Sequence, residues 1–257
     1  MLPRNDFLKG KVGLVVGVAN EQSIAAGCAA AFHASGAQLC LTYQNDKARL
    51  FVQPVATMVD AELFLPLDVT DMAQSDAVFA AIKERWGKLD FLLHSIAYCP
   101  RDDLHGRVVD CSQQGFATAM DVSVHSLIRL AKRAEPLMAD GGTILTVSYH
   151  GAEKVVDHYN IMGPVKAALE GTTRYLAVEL GRKKIRVNSL SPGPLETRAA
   201  SGIDHFDMLI DDARTRAPLH RLTTIGEVGA MAACLVSDFA SSVSGNTAYI
   251  DGGHHIV

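Results

Sequence analysis

The chain has 257 residues, of which 48% are apolar and 20% charged, with 24 basic against 28 acidic side chains and a formal net charge of -4. So large an apolar share with near-balanced charge excludes a disordered chain, and the slight acidity excludes the basic footprint of a nucleic-acid binder. Length alone leaves one or two domains open, either able to bury a core without disulfides or metals.

Short β-branched or leucine-rich runs alternate with longer segments of helical period. In chain order the pattern predicts a strand at 11–17, a helix at 23–35, a strand at 38–43, a helix at 46–58, a strand at 63–67 and a helix at 71–86. A strand at 91–97, a long helix at 115–138, a strand at 143–148, a helix at 165–180, a strand at 186–190, a helix at 227–237 and a strand at 248–251 complete it. Asp71 suits a helix N-cap, and Gly87 and Gly181 suit stops. Such alternation belongs to an α/β fold, here one doubly wound domain over residues 1–257 whose seven-stranded parallel sheet carries helices on both faces. Residues 192–220 interrupt it with a helix-like patch at 204–215, and so long an excursion suits a binding loop, with a surface insertion as the alternative.

The first residues lack the apolar core of a signal sequence and no apolar run approaches a membrane span, so a cytoplasmic protein without a membrane partner is expected. Five cysteines without a CxxC pair read as reduced thiols serving as small apolar residues. Ten histidines without HxxxH or HExxH spacing give no expectation of a metal site.

The first strand ends at Gly17 and runs through 18–22 into a helix that begins at Ser23. Unpaired backbone N–H groups and the positive end of the helix dipole suit such a turn to a dinucleotide pyrophosphate. Its glycine fingerprint is incomplete, and Ser23 stands where a hydroxyl can bond phosphate; an ordinary strand-to-helix loop is an equal alternative. At the end of the second strand, Tyr43-Gln44-Asn45 offers a ribose hydroxyl a neutral partner in Gln44 and no adjacent Arg, which favours NADH over NADPH even with Lys47 and Arg49 nearby. Asp68-Val69 and His94-Ser95-Ile96-Ala97 fall at the carboxyl ends of the third and fourth strands, where adenine and nicotinamide gather. His94 taken by itself reads as a core histidine.

Tyr159 and Lys166 lie seven residues apart. If their segment is helical, they share one face about 10 Å apart along the axis, and the ammonium would stabilise the phenolate and strengthen the phenol as a donor to a developing oxyanion. Taken in isolation, the pair reads instead as a buried tyrosine and a solvated lysine.

Gly17, Ser23-Ile24-Ala25, Tyr43-Gln44-Asn45-Asp46-Lys47, Asp68-Val69, His94-Ser95-Ile96, Tyr149, the Tyr159-x6-Lys166 pair and Gly193-Pro194 with Thr197 together resemble the bacterial NADH-dependent enoyl-acyl-carrier-protein reductases. These are a divergent branch of the short-chain dehydrogenase/reductase superfamily, whose ordinary members use YxxxK. The resemblance runs in order over roughly residues 8–253. It implies a Rossmann-like fold and reduction of a trans-2-enoyl thioester carried on acyl carrier protein, with hydride passing from NADH to the β-carbon. Tyr159 would stabilise the enolate oxygen, Lys166 would hold the nicotinamide ribose, and Tyr149 would line the acyl pocket and assist proton delivery. The other implied cofactor contacts are Gly17, Ser23, Ile24, Gln44, Asp68, Val69, Ser95, Ile96, Pro194, Leu195, Glu196, Thr197, Arg198 and Ala199. Cys99 joins Tyr149 and Tyr159 as a substrate contact, a loop at about 194–220 that includes Ser201-Gly202-Ile203 would close on substrate, and a homotetramer is implied.

Three departures stand out. Ala97 replaces the family's usual Gly beside the nicotinamide, and Pro164 falls between the two key residues, where it clashes unless it lies in the first helical turn. His150 stands where the family is apolar, as a tuner of local electrostatics or a surface histidine. A carbonyl or alcohol oxidoreductase of the same superfamily would need YxxxK, but Glu153 follows Tyr149 and Gly163 follows Tyr159 at that spacing. A non-catalytic NAD(H) sensor could keep Gly17 and Asp68 while losing Tyr159 or Lys166, and this sequence keeps all four.

Overall fold

Residues 6–195 and 206–257 are described by a computed structural model of the chain. Seven parallel strands, β1 (Val12–Val16), β2 (Gln38–Tyr43), β3 (Leu63–Pro66), β4 (Phe91–His94), β5 (Gly142–Val147), β6 (Ile185–Pro192) and β7 (Thr247–Ile250), lie in the order β3-β2-β1-β4-β5-β6-β7. The winding therefore reverses between β1 and β4, and that reversal opens a crevice at the carboxyl ends of the strands. The helices are α1 (Ile24–Ala34), α2 (Asp46–Met58), α3 (Met72–Trp86), α4 (Arg101–Leu104), α5 (Gln113–Met120), α6 (Ser126–Ala134), α7 (Met162–Gly181), α8 (Phe206–Arg216) and α9 (Ile225–Val236).

Successive strand residues enter opposite cores. Val15, Leu39, Leu41, Phe91, Leu93 and Leu145 join residues of α1, α2 and α9, while Leu14, Val16, Cys40, Leu92 and Ile144 join residues of α3, α6 and α7. Because both faces are covered, the strands read as unbroken apolar runs. Helix α1 presses on α9 closely enough that a Cβ on Gly229 would stand 2.3 Å from the Gly27 carbonyl oxygen.

Local chemistry sets the ends of these elements. Ser23, Asn45 and Asp71 cap α1, α2 and α3 by accepting backbone N–H groups of their first turns, and Gly87 ends α3 in the left-handed region at φ +70°. Gly181 is the last residue of α7 without being the left-handed stop; Lys184, at φ +60°, turns the chain into β6.

The helix expected at 115–138 is not continuous. Between α5 and α6 the chain widens into a π turn, Asp121–His125, and a short 3-10 turn, Glu135–Leu137, follows α6. Ser123 in that turn accepts the Tyr98 N–H at 3.0 Å and donates to the Tyr98 carbonyl at 3.2 Å, so the bulge serves the loop leaving β4. The cysteine expectation holds for Cys28, Cys40 and Cys99, which are buried, with burial pushing the first two thiols up to about 12. It fails for Cys234, which is exposed, and for Cys111, which is half-buried. Among the described residues no helix is long and apolar enough to cross a membrane.

Candidate active site

Gly17 follows β1 at φ +102°, and a Cβ there would stand 2.0 Å from the Ser95 carbonyl oxygen. The loops leaving β1 and β4 thus meet backbone to backbone across the reversal, with the Ser95 N–H donating to the Val16 carbonyl at 2.9 Å. Only glycine fits. The Ser23 hydroxyl donates to the Asn20 carbonyl at 2.7 Å and accepts the Ala26 N–H at 3.3 Å, so it shapes the turn and leaves Ile24 as the first helical residue.

Two strands away, the Gln44 amide donates to Asp68 Oδ2 at 3.5 Å. Burial pushes the Asp68 carboxyl up, but hydrogen bonds from the Thr70 hydroxyl, the Thr70 N–H and Gln44 outweigh it and hold the group below the usual carboxylate range. Arg129 of α6 donates to the Val69 carbonyl at 3.0 Å and to Asp121 Oδ1 at 2.6 Å, pinning this loop from the π turn. The Arg49 guanidinium lies over the Tyr43 ring at 5.7 Å, which gives the nearby cation a partner of its own.

His94 is a core residue. Ser126 spends its one hydroxyl proton on the Val122 carbonyl at 2.5 Å, so it accepts from His94 Nε2–H at 2.8 Å, and His94 Nδ1 accepts from the Thr146 hydroxyl at 2.9 Å. Burial, then the charge of Lys166, pushes this imidazole down to about 3, which keeps it neutral. Beyond it Ile96 is half-buried, Ala97 is exposed to the crevice edge, and Cys99 is buried in the same core as Tyr159. Burial, with Cys111 and Asp103 adding, pushes the Cys99 thiol up to about 11.

The tyrosine–lysine pair does not share a helix. Helix α7 begins at Met162, so Tyr159 lies before it, in a turn whose flanking residues His158 and Asn160 adopt φ +63° and +46°. Pro164 is the third helical residue, where no intrahelical partner for its missing N–H is lost. The Asn160 amide ties the turn to the Leu104 carbonyl at 2.9 Å. The Tyr159 ring is 8% exposed and meets Tyr149 edge-on, at 4.8 Å and 62°.

Burial, then the neighbouring Tyr149, raises the Tyr159 phenol above its ordinary range. This runs opposite to the shift expected from the ammonium: burial and Tyr149 set the Tyr159 phenol, not the charge of Lys166. Lys166 is itself buried and donates to the Val147 carbonyl at 2.6 Å; burial pulls it down to about 8, with Glu170 opposing. Glu170 accepts the Ser148 hydroxyl at 2.5 Å, and burial raises its carboxyl. Tyr149 is raised by burial, then by Asp212 and Asp251.

The reading of His150 as a surface histidine is corrected: it is 8% exposed and stacks on Tyr149 at 4.6 Å and 17°. Pro194 and Leu195 are buried where the chain leaves β6, Leu195 within the core shared by α1 and α9. Glu196, Thr197, Arg198, Ala199 and 201–203 lie outside the described residues. Ser123, Ser126, Thr146, Arg129 and Glu170 were not singled out in the sequence. Only Glu170 carried a local signal, standing four residues after Lys166 in one helix.

A family model described as enoyl-(acyl carrier protein) reductase matches residues 17–255. The chain is 48% identical to enoyl-[acyl-carrier-protein] reductase [NADH] 1 of Rhizobium meliloti over 100% of its own length and 94% of that protein. Its fold superposes with TM-score 0.96 on the reductase of Anaplasma phagocytophilum solved in complex with NAD, at 44% identity over 100% of this chain and 98% of the other. The Bacillus cereus enoyl-acyl carrier protein reductase, solved with NADP+ and an indole naphthyridinone, gives TM-score 0.95 at 42% identity over 98% and 99% of the two chains.

Proposed function

The chain belongs to the enoyl-(acyl carrier protein) reductase family, and on that premise we propose how its own residues carry the reduction of an enoyl thioester. The protein is an NADH-dependent oxidoreductase acting on a carbon–carbon double bond. Bound NADH supplies the hydride that the β-carbon receives.

The residues present fit that cofactor. Gly17 leaves no side chain between the β1 and β4 exits, and the first turn of α1 directs its N–H groups toward the same crevice. Ile24 opens that turn, Ser95 and Ile96 line the β4 exit, and Pro194 and Leu195 the β6 exit. Gln44, paired with Asp68 and flanked by Val69, presents a neutral hydrogen-bonding edge to a ribose hydroxyl.

Hydride arrival leaves an enolate, and Tyr159 donates its O–H to that oxygen. A phenol held above its ordinary range stays protonated at neutral pH, so it acts as a donor throughout the step and needs no prior deprotonation. Lys166 keeps one N–H on the Val147 carbonyl and turns the rest of a buried ammonium to the nicotinamide ribose. Tyr149 forms the wall of the acyl site and assists protonation at the α-carbon, with Cys99 on the apolar side. To the loop at about 194–220, with Glu196, Thr197, Arg198 and Ala199, we assign a part in binding cofactor and thioester.

The observation that carries this reading is the buried Tyr159 phenol, set edge-on to the buried Tyr149 ring. The same reading includes a carrier-protein-borne thioester as partner, a cytoplasmic location and a homotetramer. Family membership supports all three, and exposed Tyr175 and Val178 on α7 supply an apolar face for assembly.

NADH oxidation with 2-enoyl thioesters of coenzyme A and carrier protein tests the reading. Tyr159→Phe should lower kcat by about 10²–10³-fold, the usual loss for one oxyanion donor, and Lys166→Ala should weaken NADH binding. No turnover with any chain length on either carrier, or an unaltered Tyr159→Phe rate, overturns it; tight NADH binding without turnover would match the sensor instead.

A further inference from the structure

The same edge of the molecule holds a stack of rings that hydride transfer does not use. His150 lies flat on Tyr149 at 4.6 Å, and His254, from the turn after β7, lies 5.0 Å from His150 at 39°. His254 Nε2 is 3.0 Å from Asp212 Oδ2 on α8. Both histidines are buried, 8% and 7% exposed, so this is packed interior and not a surface encounter.

The far side of the stack is fixed independently. Asp251 accepts the Gly253 N–H and the His255 N–H, each at 2.9 Å, and His255 stacks on Tyr249 at 3.8 Å and 9°. Helix α8 buries Ile210 and Ala213 and half-buries Leu209, while Met208 and the polar residues Asp207, Asp211, Asp212, Arg214 and Arg216 are exposed. Its Asp212 is thus the polar link from this helix to the C-terminal turn, with Arg216 of the same helix at 3.5 Å from the same carboxylate. Burial, with the charge of His254 next, pushes His150 down to about 4, and a neutral imidazole can stack on a phenol without placing a charge against it. Together these contacts form a continuous path: Asp212, His254, His150, Tyr149, Tyr159.

We propose that His150 and His254 are positioning residues that hold helix α8 against the active-site tyrosines and so set the affinity of the enzyme for its acyl substrate. The proposal rests on the reading that Tyr149 and Tyr159 line the acyl site and that α8 belongs to the substrate loop.

The full-length enzyme tests it. His254→Leu and Asp212→Ala should each raise KM for the enoyl thioester about ten- to hundredfold, as loss of a hydrogen bond to a charged group implies, while kcat moves less than twofold. His254→Gln, which keeps an N–H for Asp212, should restore most of the affinity, and the double variant His254→Leu/Asp212→Ala should be no worse than either single one. His150→Phe, which keeps a flat ring on Tyr149, should retain KM, and His150→Ala should raise it. Hydrogen exchange should speed up at 206–216 in His254→Leu with the sheet amides unchanged. Unaltered KM, additive losses, a Gln variant as poor as Leu, or unchanged exchange in α8 overturns the proposal. The exchange measurement needs no substrate, so it fails separately from the catalytic reading, which fails if Tyr159→Phe is fully active.

Discussion

Gly151 sits where Tyr149 and Tyr159 converge, and adding one methyl there is a direct probe of how tightly the two rings are held. A Cβ on Gly151 would stand 2.7 Å from Tyr159 Cδ1, 3.1 Å from Tyr159 Cε1 and 3.2 Å from Tyr149 Cδ1. Carbon atoms rest at about 3.5–4.0 Å, so the Tyr159 ring must retreat by about 1 Å. Tyr149 cannot give way freely, because His150 backs it at 4.6 Å. Overpacking of this kind costs about 1–3 kcal/mol, and about 1 Å of misplacement at a reacting centre costs about 10²-fold in rate. Gly151→Ala should therefore lose about 10²-fold in kcat on an enoyl thioester and unfold at lower temperature. Gly171→Ala is the control: its Cβ would find only Arg174 Nη2 at 3.9 Å, within α7. It should stabilise the protein by up to about 1 kcal/mol and leave the rate alone. Wild-type kcat and Tm in Gly151→Ala would refute the close packing on which the mechanism depends.

The pH profile gives a second test. Lys166 is held down to about 8, so kcat/KM should fall as pH rises past that value, and Glu170→Gln, which removes the charge that supports the ammonium, should move the fall to lower pH; an unmoved limb would exclude the coupling. Stability should run the other way. The folded lysine titrates near 8 and the unfolded one near 10.5, so the unfolded chain binds more protons between those values. Lys166 therefore makes unfolding harder as pH rises through that window, and urea titrations of Lys166→Met should show a flatter rise. Ser126→Ala leaves the buried His94 Nε2–H without its acceptor and should cost about 1–3 kcal/mol in thermal unfolding, whereas an unchanged Tm would reject the tautomer assigned from this network.

The parallel sheet was legible because burial on both faces turns each strand into an apolar run, and Asp71 was legible because caps act locally. The strand predicted at 11–17 overshoots at Gly17, whose left-handed backbone leaves the sheet to meet Ser95. The π turn was not legible: Asp121-Val122-Ser123-Val124-His125 holds no helix breaker, and the widening is tied to two serines reaching the loop and strand of β4. The partners of His150 were not legible either, because His254 lies 104 residues away in the chain and neither residue belongs to a periodic pattern.

The spacing between Tyr159 and Lys166 shows how helical arithmetic can misplace a pair of residues. Seven residues nearly equal two helical turns, yet Pro164 already argued that a helix through Tyr159 would clash at Asn160. The structure resolves the conflict by starting α7 at Met162. Tyr159 is then free of helical geometry and is aimed by its neighbours. Asn160 adopts the left-handed conformation that its short polar side chain tolerates and reaches Leu104 in α4. Lys166, inside the helix, is aimed by β5 through the Val147 carbonyl. The two groups are thus held by separate anchors, one on a short helix after β4 and one on β5. A change at Asn160, which removes the amide bonded to the Leu104 carbonyl, should displace Tyr159 while leaving Lys166 in place.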